Sequence, residues 1–358
     1  MSNLSSKIKV NELIELMTDY CSASISPSII EPIMLWGSPG VGKSQAMRQV
    51  ANNVQTRTGK KVTVTDVRLV NFNPVDLRGI PVPDDKKEVA KWLKPQIFQM
   101  DESNDVINIL VLDEISAASP NVQASAYQIT LDRKLGEHSI PDNCFIMCAG
   151  NRVTDKSVAF KMPKALENRL VHLDVIVDYD EWKKWALPKG FDKRIMGFLN
   201  WKEGADLDKF DPNNDEHAFC TPRTWEKVNN ILSVLPLEKA MSLVSGTIGD
   251  STAHEFYTYT RLYGELPSMD LILSGKCDKV PTKPDVCFAL VSALVCQAMK
   301  SDDKQLTNIL EYGYKLRDEF KILLVKDLIK SSKDMFFRII NHPKFEQFTE
   351  DNMDLLKD

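Results

Sequence analysis

The stretch MLWGSPGVGKSQA, residues 34–46, leaves a chain few ways to fold. An apolar run breaks into a turn holding three glycines, ends in Lys-Ser, and is followed by a helical pattern that stops near Gly59. Gly37, Ser38, Pro39, Gly40, Val41, Gly42, Lys43 and Ser44 fit the spacing G-x-x-x-x-G-K-[ST]. Glycines let backbone N–H groups turn inward around phosphate oxygens with no Cβ in the way. The helix behind them points its partial positive charge at the same anion. Lys43 adds a point charge for the β- and γ-phosphates, and the Ser44 hydroxyl can bind Mg²⁺. A strand–loop–helix unit built around a nucleoside triphosphate is therefore expected.

The surrounding sequence supplies the rest of such a layer. Residues 1–20 carry Val10, Leu13, Ile14 and Met17 at helical spacing. EPIMLWG, KKVTVTDVRLV, VINILVLDEI, NCFIMCAGN and RLVHLDVIV read as strands, with helical patterns between them such as SPNVQASAYQITLD. Alternating strands and helices predict a doubly wound α/β domain with a mostly parallel sheet over residues 1–178. Between them, FNPVDLRGIPVPDDKKEVAKWL is rich in proline and suits a short hairpin. Beyond DYDEWKKWA the chain turns helical. A weaker break near residues 264–270 divides this remainder into an α-helical lid, 179–265, and a helical C-terminal extension, 266–358.

VINILVLDEI ends in Asp113 and Glu114. Acidic residues at the C-terminal end of a parallel strand lie where such sheets bind ligands. Asp113 can hold Mg²⁺, usually through water, and Glu114 can act as general base on the attacking water.

Composition narrows the partners. Among 358 residues, 43% are hydrophobic and 27% charged, as in an ordinary globular protein, and the formal net charge is −5. An acidic balance argues against broad nucleic-acid binding, though not against a local basic pore. No apolar run is long enough for a signal peptide or a membrane span, so a cytoplasmic, membrane-free protein is expected. The seven cysteines are scattered without a CxxC pair, which fits buried thiols in a reducing compartment and not a zinc site.

Taken in order, several segments resemble the MoxR group of AAA+ ATPases, in the helix-2-insert clade. LVLDEISAASPNVQASAYQITLDRKLGEHSI is similar to that group's stretch from the acidic pair onward. VNFNPVDLRGIPVPDD resembles the segment before the helix-2 insertion, CAGN the sensor-1 strand, PKALENRL the segment before the last core strand, and CTPR the start of sensor 2. The likeness spans roughly residues 30–230, and GNR stands where the group more usually has Asn-Pro.

The resemblance implies an AAA+ core with ATP and Mg²⁺ as cofactors and roles for further residues. Asn151 would contact the γ-phosphate or orient the lytic water with Glu114. Arg169 would reach the γ-phosphate of a neighbouring subunit as an arginine finger, with Arg152 and Lys164 as competitors for that role. Arg223, just after the helix-start pair Thr221-Pro222, would act on the phosphates in cis. A finger supplied in trans implies a homo-oligomeric ring, by family expectation a hexamer. The output would be remodelling or maturation of a partner protein, with a von Willebrand A domain protein as the implied client. A nucleic-acid-translocating or helicase-like motor is the alternative. The insertion segment either faces a pore or packs on a neighbour.

Overall fold

The computed structural model describes residues 6–155, 160 and 162–351. The remaining positions of the expected N-terminal helix and C-terminal extension lie outside the described residues. The chain divides into two compact units: residues 1–178 with 210–215, and residues 179–209 with 216–358.

The first unit is built on a six-stranded parallel sheet. Its strands are β1 (Lys7–Lys9), β2 (Ile33–Trp36), β3 (Lys61–Arg68), β6 (Val106–Asp113), β9 (Cys144–Gly150) and β10 (Val171–Ile176), in the order β1-β10-β2-β9-β6-β3. Every pairing in this sheet is parallel, with Leu35 opposite Ala149 and Leu112 opposite Cys148 in the central strands. All eight residues of β6 are buried, which is why Ile109, Leu110, Val111 and Leu112 read as a continuous apolar run rather than an alternating one. Ile109 and Val111 face a core shared with helices α1 (Val10–Cys21) and α2 (Lys43–Thr58). Leu110 and Leu112 face the opposite core, shared with α4 (Pro120–Asp132) and α5 (Lys164–Glu167), through Val122, Ala126, Ile129 and Leu166. The sheet is thus covered on both faces, as doubly wound α/β proteins require.

Two small hairpins complete the unit. β4 (Ile80–Pro83) pairs antiparallel with β5 (Ala90–Leu93), following the short helix α3 (Pro74–Arg78), so the proline-rich insertion does form a hairpin. β7 (Lys134–Leu135) pairs with β8 (His138–Ser139). One element departs from expectation. The N-terminal segment opens as strand β1, with Lys7 opposite Asp174 and Lys9 opposite Ile176, and α1 begins only at Val10. Three residues are too few to carry a period in the sequence, and flanking lysines suit an exposed sheet edge.

The second unit is all-helical: α6 (Tyr179–Ala186), α7 (Lys193–Trp201), α8 (Pro222–Val234), α9 (Leu237–Ile248), α10 (Asp250–Thr260), α11 (Met269–Leu273), α12 (Pro284–Ala298), α13 (Asp303–Gly313), α14 (Asp318–Ser331), α15 (Lys333–Ile340) and α16 (Pro343–Asp351). Helix α12 is apolar nearly all round and is buried accordingly, packed against α7, α13 and α14. Helices from 179–265 and from 266–358 therefore share one compact unit. An aromatic cluster of Phe198, Trp225, Phe256 and Tyr259 fills the region between α7, α8 and α10, with ring centroids 5.5–5.8 Å from Phe198.

Candidate functional site

The phosphate loop connects β2 to α2. After β2 the chain crosses to β3 at the far edge of the sheet, and β10 later returns on the other side of β2, so the loop sits where the winding reverses. Gly40 (φ 86°) and Gly42 (φ 105°) are both left-handed, a conformation that admits glycine without strain. Gly42 caps α2, and its carbonyl accepts from Ala46 N–H at 2.8 Å. Lys43, the first residue of that helix, is buried. Its Nζ donates to Gly37 O (2.6 Å), Ser38 O (3.1 Å) and Asn151 Oδ1 (3.1 Å). The ammonium thus spans the loop and reaches the end of β9.

Strand order brings the other expected residues alongside. β9 is the neighbour of β2, and β6 the neighbour of β9, so the carboxyl ends of three adjacent strands meet at one edge. Asp113, the last residue of β6, accepts from Ser44 Oγ through Oδ2 at 2.8 Å. Its other oxygen accepts from Glu114 N–H at 2.9 Å. Both the Ser44 hydroxyl and the Asp113 carboxylate are hard oxygen donors. A hydroxyl and a carboxylate side by side are the oxygen donor set that Mg²⁺ takes beside a nucleotide's phosphates. These two residues therefore fit the ion that the phosphate loop implies.

Glu114 is half-buried and left-handed (φ 57°), an uncommon state for a residue with a side chain. It caps the short 3₁₀ turn Ile115–Ala117. Ser116, in this turn, belongs to no motif legible in the sequence, yet it is 2% exposed and its Oγ accepts from Asn151 N–H at 3.0 Å. Gly150 makes this approach possible: a Cβ there would lie 2.7 Å from Ser116 Oγ and 2.9 Å from Met34 Cε. The available sequence signal is the strand-end glycine of CAGN, since glycine in a strand marks close approach of another group.

The arginines separate clearly. Arg152 donates through Nε (3.0 Å) and Nη2 (2.8 Å) to Asp174 Oδ1, so a carboxylate on β10 neutralises it. Lys164 pairs with Glu167. Arg169 lies in the turn between α5 and β10. Its Nη1 donates to Ala165 O at 2.9 Å, and its guanidinium sits 4.8 Å from the centre of the Tyr127 ring. Arg223 is an exposed residue in the first turn of α8, in the second unit. His172 has a packing role: its Nδ1 accepts from Trp36 Nε1 at 2.8 Å, and the two rings stack.

Residues 32–172 match the family model described as ATPase family associated with various cellular activities (AAA). No curated protein matches the sequence. Similar solved structures include PCH-2 from C. elegans, 16% identical, covering 82% of this chain and 70% of that one at a TM-score of 0.35. A point mutant of RuvB from Thermotoga maritima is 15% identical, with 85% and 88% covered and a TM-score of 0.39. NtrX from Brucella abortus is 14% identical, with 90% and 68% covered and a TM-score of 0.36. Likenesses this distant carry no statement about activity. The family match takes in the phosphate loop, the acidic pair and strands β2, β3, β6 and β9, so residues 32–172 are similar to this ATPase family.

Proposed function

We propose that the chain is a MoxR-type AAA+ ATPase that works as a homo-oligomeric, hexameric ring in the cytoplasm and remodels a partner protein. One observation carries the catalytic part: Ser44 Oγ lies 2.8 Å from Asp113 Oδ2 while Lys43 Nζ lies 3.1 Å from Asn151 Oδ1. A hydroxyl, a carboxylate, an ammonium and an amide thus converge beside the phosphate loop. The MoxR assignment rests on the order of the segments across residues 30–230. Among the described residues no helix is long and apolar enough to cross a membrane.

The loop amides and the α2 N-terminus bind the phosphates of ATP, and Lys43 exchanges the carbonyls of Gly37 and Ser38 for β- and γ-oxygens. Mg²⁺, held by Ser44 and Asp113, supplies neutralisation of phosphate charge. Glu114 takes the proton of the attacking water, which Asn151 helps to orient. Arg169 of the adjacent subunit stabilises charge developing on the transferred phosphoryl group, and Arg223 acts in cis. Charge balance favours Arg169 over Arg152 as the finger. Arg152 is already compensated by Asp174, whereas Arg169 is held by a carbonyl and an aromatic face and keeps its charge for an anion. A von Willebrand A domain protein is the client class to test first.

Two measurements check this. Lys43→Ala is expected to lower ATP turnover about 10²–10³-fold, the range for removing one preorganised donor to a charged transition state. Unchanged kcat/KM for ATP would refute the phosphate-loop assignment. Arg169→Ala is expected to be inactive alone but to regain turnover when mixed with inactive Glu114→Gln subunits. Mixed rings then contain interfaces pairing an intact Glu114 with an intact Arg169. No recovery in mixed assemblies, with exchange of subunits verified, would remove Arg169 from the trans role.

A further inference from the structure

We infer that Ser116 is a positioning residue that couples Asn151 to the turn carrying Glu114. The inference rests on the catalytic roles proposed for those two residues. Three contacts support it. The Ser116 hydroxyl accepts from the Asn151 N–H at 3.0 Å, so the backbone of the residue that meets Lys43 is tied to this side chain. Ser116 belongs to the 3₁₀ turn that Glu114 caps, and Glu114 O accepts from Ala117 N–H at 2.9 Å, so the hydroxyl and the carboxylate are carried by one hydrogen-bonded turn. The Ser116 carbonyl accepts from Phe160 N–H at 2.7 Å, which holds the same turn from a second side.

Burial makes this a hub rather than a surface contact. Ser116 is 2% exposed, so no bulk water stands ready to replace its hydroxyl at the Asn151 N–H. Gly150 leaves the space for it, because a methyl group there would come within 2.7 Å of the oxygen. The Asn151 side chain accepts from Lys43 Nζ, and a γ-phosphate competes for both groups. When Asn151 moves to meet or release that phosphate, its backbone N–H pulls on Ser116, and Glu114 moves with the turn. The presence of the γ-phosphate is thereby transmitted to the base that activates the attacking water.

The test is Ser116→Ala, with ATP affinity measured by fluorescent-nucleotide binding and hydrolysis measured at saturating ATP and matched protein concentration. Expected is a kcat lower by about 10–100-fold, the cost of a small misplacement of a catalytic group, at unchanged affinity. On an Asn151→Ala background the same change should cost no more than about twofold, because the hydroxyl acts through Asn151. Should Ser116→Ala not fold, Ser116→Cys keeps the shape with a weak sulfur acceptor and is held to the same criteria, with a smaller loss expected. An unchanged kcat, a loss confined to affinity, or a fully multiplicative loss in the double variant would overturn the coupling. Asn151→Ala hydrolysing at the wild-type rate would instead sink the catalytic reading beneath it.

Discussion

Glu114→Gln should bind ATP as tightly as the wild type and hydrolyse it about 10²–10⁴-fold more slowly, the span attributed to general-base catalysis. That is about 3–5 kcal/mol of transition-state stabilisation. Glutamine keeps the length of the side chain and places the same demand on the left-handed backbone at φ 57°, so the fold and the Asp113 contact to its N–H are retained. What is lost is the capacity to accept a proton. Asp113, Ser44 and Lys43 are untouched, which is why affinity holds. Single-turnover hydrolysis with pre-bound ATP is the measurement, and a drop of less than about tenfold would leave Glu114 without its role as base. The same variant, held with ATP bound, is the trap for the partner. Capture or turnover stimulation by a folded protein supports remodelling, and stimulation by single-stranded DNA in its place supports a nucleic-acid motor.

Lys183→Met is expected to destabilise the helical unit by about 3–5 kcal/mol, because it strands a buried carboxylate. Lys183 on α6 and Asp327 on α14 are each 4% exposed in their side chains and lie 2.5 Å apart. Lys183 also donates to Asn200 Oδ1 at 2.7 Å, Tyr179 donates to the same oxygen at 2.6 Å, and Asn200 Nδ2 donates to Ser292 Oγ at 3.1 Å. Helices α6, α7, α12 and α14 are thus tied by one buried polar network.

Burial holds the Asp327 carboxyl above the usual carboxylate range even though Lys183 pulls it down, so desolvation exceeds the attraction of the pair. It follows that Lys183→Met with Asp327→Leu should recover most of the loss, as apolar replacement of a buried pair commonly does. A folded-state pKa above the unfolded value of about 3.9 means the folded form holds its proton more tightly. The penalty is therefore absent below the unfolded pKa and grows as pH rises through the folded one. The Lys183→Met deficit should shrink as the solution is acidified. Urea midpoints across pH test this, and a deficit that widens toward acid, or a double variant no better than the single, would contradict it.

Much of the candidate site's backbone was legible along the chain because it depends on local chemistry. The glycines at 40 and 42 had to be glycines for left-handed turns, and Lys43-Ser44 had to open a helix, so residues 37–44 declared their conformation by themselves. The eight buried residues of β6 announced a strand covered on both faces and placed Asp113 and Glu114 at its end. The short edge strand β1 was not legible, because pairing with β10 and not any preference of its own holds Lys7–Lys9 extended.

Pairings between distant residues were closed to sequence for the same reason. Arg152, Arg169 and Lys164 are chemically comparable cations in one stretch. Only tertiary packing puts Asp174 of β10 against the first and the Tyr127 ring of α4 against the second. Ser116 carries no motif, and its value arises from a strand-end glycine that lets its oxygen meet Asn151. Sequence alone determined the phosphate loop, the acidic strand end and the alternation that builds a parallel sheet, since backbone sterics and hydrophobic period act over a few residues. Tertiary structure alone decided which charges are compensated and which polar groups touch, since those depend on strand order and burial across the whole unit.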